Sequence, residues 1–172
     1  PQGNEVRYRV REQLMNIDFP SDATGKTSKI VGGIAVDGKG AVLDGPKFTI
    51  DLASLTSDKE MRDNFIRRRT LQTEQYATAT FVPTGVKGLP FPLPKSGDVK
   101  FQLIGNLTVK TVTKPVTWEV VGKVDNGSLS GEAKTSFKFA DFELDKPRVR
   151  SVLSVEDDIG LEYTFFLVPA KS

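Results

Sequence analysis

The chain contains no cysteine and no histidine. Without cysteine there is no disulfide and no thiolate nucleophile. Without histidine, the Ser–His and Cys–His pairs of nucleophilic catalysis and the usual zinc, copper and haem ligand sets are also gone. Catalysis here would have to run on Asp, Glu, Lys, Tyr or Ser. Missing thiols leave the redox compartment open. An excess of one charge sign is lacking too: 24 basic residues face 22 acidic ones, for a net charge of +2. That balance gives no reason to expect nucleic acid as a partner, since such binders carry a clustered basic stripe. No apolar run approaches the roughly 20 residues of a membrane span. An initiator methionine is absent: the chain opens Pro-Gln-Gly-Asn, which reads as a processed product whose targeting segment has been removed.

What is present suits one globular domain spanning residues 1–172, with 27% charged and 38% hydrophobic residues. The stretch from Phe48 to Phe81 organises the rest. Phe48, Ile50 and Leu52 alternate with Thr49, Asp51 and Ala53, a strand with one apolar face. Ser57 and Glu60 then fit a capping box. Asp58 with Arg62, and Asp63 with Arg67, stand four apart in the acid-before-base order that favours a helix. Met61 and Phe65 share a face. The spacing predicts one amphipathic helix over Ser57–Leu71. A helix so short is marginal alone in water, so its apolar side must dock on a barrel mouth or wall.

The other segments alternate. Val6, Tyr8 and Val10 oppose Arg7, Arg9 and Arg11, whose cationic face is either solvated or a rim for an anionic head group or lipid surface. Met15, Ile17 and Phe19 predict a second strand, and the polar Ser21–Lys29 a loop. Ile30–Val36 is a weaker strand interrupted by Gly32 and Gly33, a sign of a bulge or sharp coil; Ala41–Asp44 returns from a turn. Thr78–Lys87 is β-rich. Val99, Phe101, Leu103, Gly105, Leu107 and Val109 share one face, and Val116, Trp118, Val120 and Val124 the next. Asp125-Asn126-Gly127 marks a tight hairpin. Leu129, Ala133, Phe137 and Phe139 follow. Ala140–Asp158 reads as a long charged loop, and Ile159 to Leu167 as the last strand. Eight to ten strands in a meander predict a closed antiparallel barrel, because closure removes exposed edges. A barrel of this size is either filled by side chains or holds one small ligand. Glycines at 105, 122 and 131 would leave an elongated apolar space; the same residues could equally fill one another's gaps.

Five blocks follow one another in order: Ile50-Asp51-Leu52-Ala53-Ser54-Leu55-Thr56, Arg62-Asp63, Tyr76-Ala77-Thr78-Ala79-Thr80-Phe81, Gly105-Asn106-Leu107-Thr108-Val109 and Val112-Thr113-Lys114-Pro115-Val116. In these blocks and their spacing the chain resembles the YceI-like family of bacterial proteins. The resemblance covers about Phe48 to Leu167. Lys110-Thr111 stands where the family often has His-Gly, and Asp141-Phe142-Glu143 where it often has an Arg and a Phe-Gly. The resemblance implies an all-β, extended lipocalin-like antiparallel barrel of about eight strands with one short amphipathic helix. It implies non-catalytic binding, with transport or storage, of a long amphiphile: a polyisoprenoid, a quinone or a fatty-acid-like lipid. It also implies a periplasmic or secreted protein and leaves a homodimer open. No cofactor beyond such a lipid, no metal and no nucleic acid is expected.

On that reading the ligand is lined by Phe101, Leu103, Leu107, Trp118, Phe137, Phe139, Tyr163 and Phe165, with Met61 and Phe65 from the helix. The run Arg67-Arg68-Arg69 is either a solvated helix end, where cations suit the dipole, or a clamp for a phosphate or quinone head or for a lipid surface. Arg62-Asp63 reads as a structural ion pair or cap. Glu156, Asp157 and Asp158 hint at calcium but lack the spaced loop of oxygen ligands. Two rival classes remain: a filled interaction barrel, and a two-carboxylate hydrolase drawing on Asp141, Glu143 and Asp145.

Overall fold

The computed structural model describes residues 2–170. The described strands are β1 (Glu5–Leu14), β2 (Ser21–Thr27), β3 (Ile30–Gly32), β4 (Phe48–Asp51), β5 (Thr78–Lys87), β6 (Ser96–Val109), β7 (Val112–Asp125), β8 (Ser128–Lys138) and β9 (Val152–Leu167). One helix, α1 (Glu60–Phe65), continues as a wider π-type turn over Ile66–Thr70. All nine strands form one antiparallel sheet in the order β2-β1-β9-β8-β7-β6-β5-β4-β3, curled into a half-barrel. Edge strand β2 meets the chain beyond β4 at Lys26 and Thr56, whose backbones exchange hydrogen bonds of 2.9 and 3.1 Å. The Thr27 and Ser54 hydroxyls bond beside them.

Alternation sets which way each strand faces. Along β6 and β7, Val99, Phe101, Leu107, Val116, Trp118, Val120 and Val124 are buried, and Phe101 pairs with Val120 across the ladder. Asn126 and Gly127, with φ of 46° and 85°, make the two-residue turn into β8. The Arg7–Arg9–Arg11 face of β1 points outward. Arg7 pairs with Glu5, Glu132 and Glu162, Arg9 with Glu162 and Asp22, and Arg11 with Asp22. Exposed pairs are each worth at most about 1 kcal/mol, but this network ties β2, β1, β9 and β8 in register. Burial alone would raise the Glu162 carboxyl; Arg9 and Arg7 hold it below its ordinary value.

Several expectations are corrected. Ser21–Lys29 is not a loop, since Ser21–Thr27 pairs with β1 from Val6 to Glu12. Its inward residues are Ala23, Gly25 and Thr27, too small to give an apolar signal. They must be small: a Cβ on Gly25 would lie 2.2 Å from the Tyr8 ring. Met15–Phe19 is not a strand; β1 ends at Leu14, and Met15, Ile17 and Phe19 are exposed. Gly32, at φ 127°, ends β3 rather than bulging it. Ala41–Asp44 contributes only the bridge of Val42 to Val36. The last strand starts at Val152 and not Ile159, because a bulge between Val155 and Ile159 breaks the alternation opposite β1. The helix is shorter than Ser57–Leu71. Ser57 and Glu60 form no capping box: Ser57 donates its N–H and its hydroxyl to the Asp63 carboxylate, the hydroxyl at 2.6 Å. Arg67 does not pair with Asp63 but donates to the Ala53 and Leu55 carbonyls.

Phe142, on the short turn Phe139–Phe142 after β8, is 1% exposed and stacks edge-on to Phe137 at 4.6 Å. Phe142→Ala should cost about 3–5 kcal/mol in urea unfolding; a loss under about 1 kcal/mol would mean that the site collapses around the missing ring.

Candidate functional site

The sheet does not pack uniformly. Toward the β7–β8 turn its inner face is filled: Val99, Phe101, Val120, Val124 and Phe165 are all under 9% exposed and belong to one core cluster. Toward α1 a cavity of about 160 Å³ remains, open to the centres of water-sized molecules. One water needs roughly 10–15 Å³ of such space, so this is a ligand-scale void. Its wall takes Val6, Tyr8 and Val10 from β1, Ala79 and Phe81 from β5, Leu103 and Leu107 from β6, Trp118 from β7, Ala133 from β8, and Ile66 and Leu71 from the helical segment. Apolar residues make up nearly all of the wall. The space is narrow: the Phe48 and Tyr163 rings reach each other from β4 and β9, 5.9 Å apart and edge to face.

Six of the expected lining residues stand on this wall: Leu103, Leu107, Trp118, Phe137, Phe139 and Tyr163. Four do not. Phe101 and Phe165 lie in the filled end. Met61 is 62% exposed and Phe65 half-buried, because α1 is anchored through Arg62, Asp63 and Ile66 instead. Nor do the three glycines make the space. Gly105 accommodates the Phe81 ring, and Gly122 faces Gly131 where two backbones approach closely. The small residues on the wall are Ala23, Ala79 and Ala133.

The polar end differs from the expected one. Arg68 and Arg69 are exposed, and Arg67 is spent on backbone carbonyls; none of the three lines the cavity. The charged wall residues are Glu12 and Arg62, with side chains 5% and 4% exposed. Arg62 Nη2 donates to Glu12 Oε1, and Nη1 donates to Asp58 Oδ1 at 2.7 Å and Ser57 Oγ at 3.2 Å. The Arg62 bond holds the Asp58 carboxyl below its usual range. Glu12 carries a sequence signal that was passed over: it occupies the inward phase of β1 after Val6, Tyr8 and Val10, where a carboxylate must be paired. Its partner lies 50 residues on, so the pairing had no local signature.

Two donors on the wall are buried: Trp118 Nε1 has no acceptor among the described residues, and Tyr8 Oη has none within full hydrogen-bond distance, with the Ser57 hydroxyl near it. Tyr163 differs, donating to Asn4 Oδ1 at 2.7 Å. Burial pushes the hydroxyls of both Tyr8 and Tyr163 up to about 12. The carboxylates proposed for hydrolysis do not converge on the cavity. Asp141 caps the Lys138 N–H at 2.8 Å, and Glu143 sits at φ 53° on the surface. Asp157 pairs with Lys146. Among the described residues no group of three or more acidic side chains could hold a metal, and no helix is long and apolar enough to cross a membrane.

Comparison with known proteins agrees with this architecture. The YceI-like domain family matches residues 1–166. Protein YceI of Shigella flexneri is 34% identical over 120 residues, and that of Salmonella arizonae 33% over 120 residues. Each match covers 66% of this chain, and the chain spans 59% of the length of these relatives. Among solved structures, BcnA of Burkholderia cenocepacia superposes with TM-score 0.72 at 18% identity, covering 96% of both chains. A polyisoprenoid binding domain from Saccharophagus degradans, implicated in plant cell wall breakdown, superposes with TM-score 0.70 at 13% identity, covering 96% of this chain and 94% of that one. At such identities the structural likeness shows the fold.

Arg62→Met strands Glu12 without a counter-charge and should cost about 3–5 kcal/mol, much of it recovered in the Glu12→Leu/Arg62→Met double variant; equal losses in both would show that packing, not charge, holds the helix. The tyrosines give a second check. Their raised values mean stability that is full below pH 10 and lost as pH rises toward 12. At pH 10.5 the folded protein should show no phenolate absorbance from Tyr8 or Tyr163, with Tyr8→Phe and Tyr163→Phe variants assigning the signal.

Proposed function

The chain belongs to the YceI-like family, and on that premise we propose that its half-barrel binds the hydrocarbon tail of a long amphiphile, an isoprenoid or similar lipid, and carries or stores it without catalysis. The observation that carries this reading is the cavity itself: an apolar space walled by six or more strands and roofed by the helical segment at Ile66 and Leu71. The name of the Saccharophagus neighbour, a polyisoprenoid binding domain, supports the choice of ligand class.

Energetics favour a tail-shaped guest. Along most of its length the wall offers water no hydrogen-bond partner, so a tail entering it displaces little well-ordered water. Each buried CH₂ contributes about 0.8 kcal/mol. A tail of about twenty carbons therefore gives roughly 16 kcal/mol gross, from which association and ordering remove a large share. Micromolar to nanomolar affinity follows without many hydrogen bonds. For a hydrolase, the arrangement lacks two carboxylates facing each other across the cavity among the described residues: Glu12 is the acid on the wall, and it is committed to Arg62. The filled interaction barrel describes only the end around Phe101 and Phe165.

Organic extraction of the purified protein followed by mass spectrometry should release a long-chain amphiphile. Ala133, 2% exposed and on the wall, is the place to block the space. Ala133→Phe should lower the extracted lipid at least tenfold while thermal unfolding stays cooperative. Undiminished lipid in that variant, or none in the parent protein after reconstitution with lipid, would sink the carrier reading.

A further inference from the structure

Two facts about the cavity wall concern the ligand's head rather than its tail. The first is the pair of idle donors. Trp118 is 7% exposed, and its Nε1–H points to no acceptor among the described residues; the Tyr8 hydroxyl is likewise buried, and beside it stands only the Ser57 hydroxyl, too far for a full hydrogen bond and already donated to Asp63. Wall neighbours such as Phe81, Leu103 and Leu107 have no side-chain acceptor to offer. Native interiors keep few buried donors unpaired, because each retains a desolvation cost with nothing to offset it. A donor in that state on a cavity wall marks where a guest atom can accept.

The second fact is the charge at the polar end. Arg62, the cation on the wall, is already matched by Glu12 and by Asp58. Asp63, beside it in sequence, holds the Ser57 amide and hydroxyl. One positive side chain is thus set against three negative ones. Lys110, whose ammonium reaches the Thr70 carbonyl at 3.4 Å, is not part of the wall, and Lys146 is paired with Asp157. A phosphate or carboxylate head entering here gains no free cation from the wall and meets two buried carboxylates, Glu12 and Asp63, in a medium that screens them poorly, Asp58 being exposed to solvent.

We propose that this cavity selects amphiphiles whose head is neutral and carries a hydrogen-bond acceptor, such as a ketone or ester oxygen, offering the Trp118 N–H and the Tyr8 O–H as donors, and that it discriminates against phosphorylated and carboxylate heads. The proposal rests on the carrier reading and narrows it: of the chains that fit the cavity, those with an anionic head are the poor guests. Trp118 and Tyr8 are then specificity residues, while the tail supplies most of the affinity.

The test uses the delipidated full chain and competition against a fluorescent chain probe, with three competitors: geranylgeranylacetone, the hydrocarbon phytane and geranylgeranyl diphosphate. The ketone should bind about tenfold more tightly than phytane, the worth of one recovered buried hydrogen bond, and at least tenfold more tightly than the diphosphate. Trp118→Phe should shrink the ketone-to-hydrocarbon affinity ratio by up to tenfold, and Tyr8→Phe should shrink it independently, so either variant serves if the other does not fold. A diphosphate that binds as well as the ketone, or a ratio unmoved in both variants, overturns the proposal. If ketone and phytane bind equally, the head inference falls and the carrier reading stands; if none of the three binds, both fall.

Discussion

The contact between Glu12 and Arg62 joins two parts of the molecule that nothing local brings together. Glu12 lies on an inward position of β1, where the wall is otherwise carbon, and Arg62 is the inward residue of α1. Neither side chain is tolerable alone in that setting, because an isolated buried charge costs far more than a small domain has to spare. Together they fix the helix over the open side of the sheet, where β2 and the chain after β4 touch at Lys26 and Thr56. The half-barrel is closed by a polar clasp rather than by completing a ladder. That choice leaves a void beneath the helix, which a continuous ladder between the two edge strands, β2 and β3, with larger inward residues would have filled.

The void is positioned by size as much as by polarity. Ala23, Ala79 and Ala133 stand where larger inward residues would meet across the sheet, and Gly25 lets the Tyr8 ring lie flat against β2. At the other end Phe101, Phe165 and the valines of β6 and β7 fill the same kind of space. One sheet therefore holds a packed half that contributes stability and a hollow half with room for a guest. The division fits the proposed role in binding a tail: a cavity running the whole length would forfeit much of the contact that holds an interior at close packing. The Phe48–Tyr163 contact narrows the hollow part and sets its bore. The polar features follow the same division. The outward arginines of β1 work on the outer face with Glu132 and Glu162, and contribute to register rather than to ligand chemistry.

Much of the architecture was legible. The alternation of β6 and β7 and the Asn126-Gly127 turn each have one physical cause readable over a few residues: a period of two, and positive φ. The misses have physical causes too. β2 was hidden because its inward residues are Ala, Gly and Thr, a pattern that carries no apolar signal until the Tyr8 ring is known to lie over it. The early half of β9 was hidden by a bulge that shifts its phase. The capping box at Ser57 and Glu60 fitted its rule and still was not formed, since Asp63 offered Ser57 a better acceptor. At the site, Leu103, Leu107 and Trp118 were found by face, but Phe101 and Phe165 share those faces and differ only in height along the barrel. Periodicity reports the side of a strand, not the level.

The residue order alone determined the class of fold, the direction each strand faces and the absence of thiol and imidazole chemistry, because these depend on spacing over two to four residues and on composition. Only the folded chain decided where the space lies, that Arg62 and not the run Arg67–Arg69 stands at its polar end, and that Trp118 and Tyr8 have donors to spare. Those outcomes depend on pairs such as Glu12 with Arg62, 50 residues apart in the chain. Their proximity is set by the curl of the whole sheet, a quantity that no short window of sequence contains.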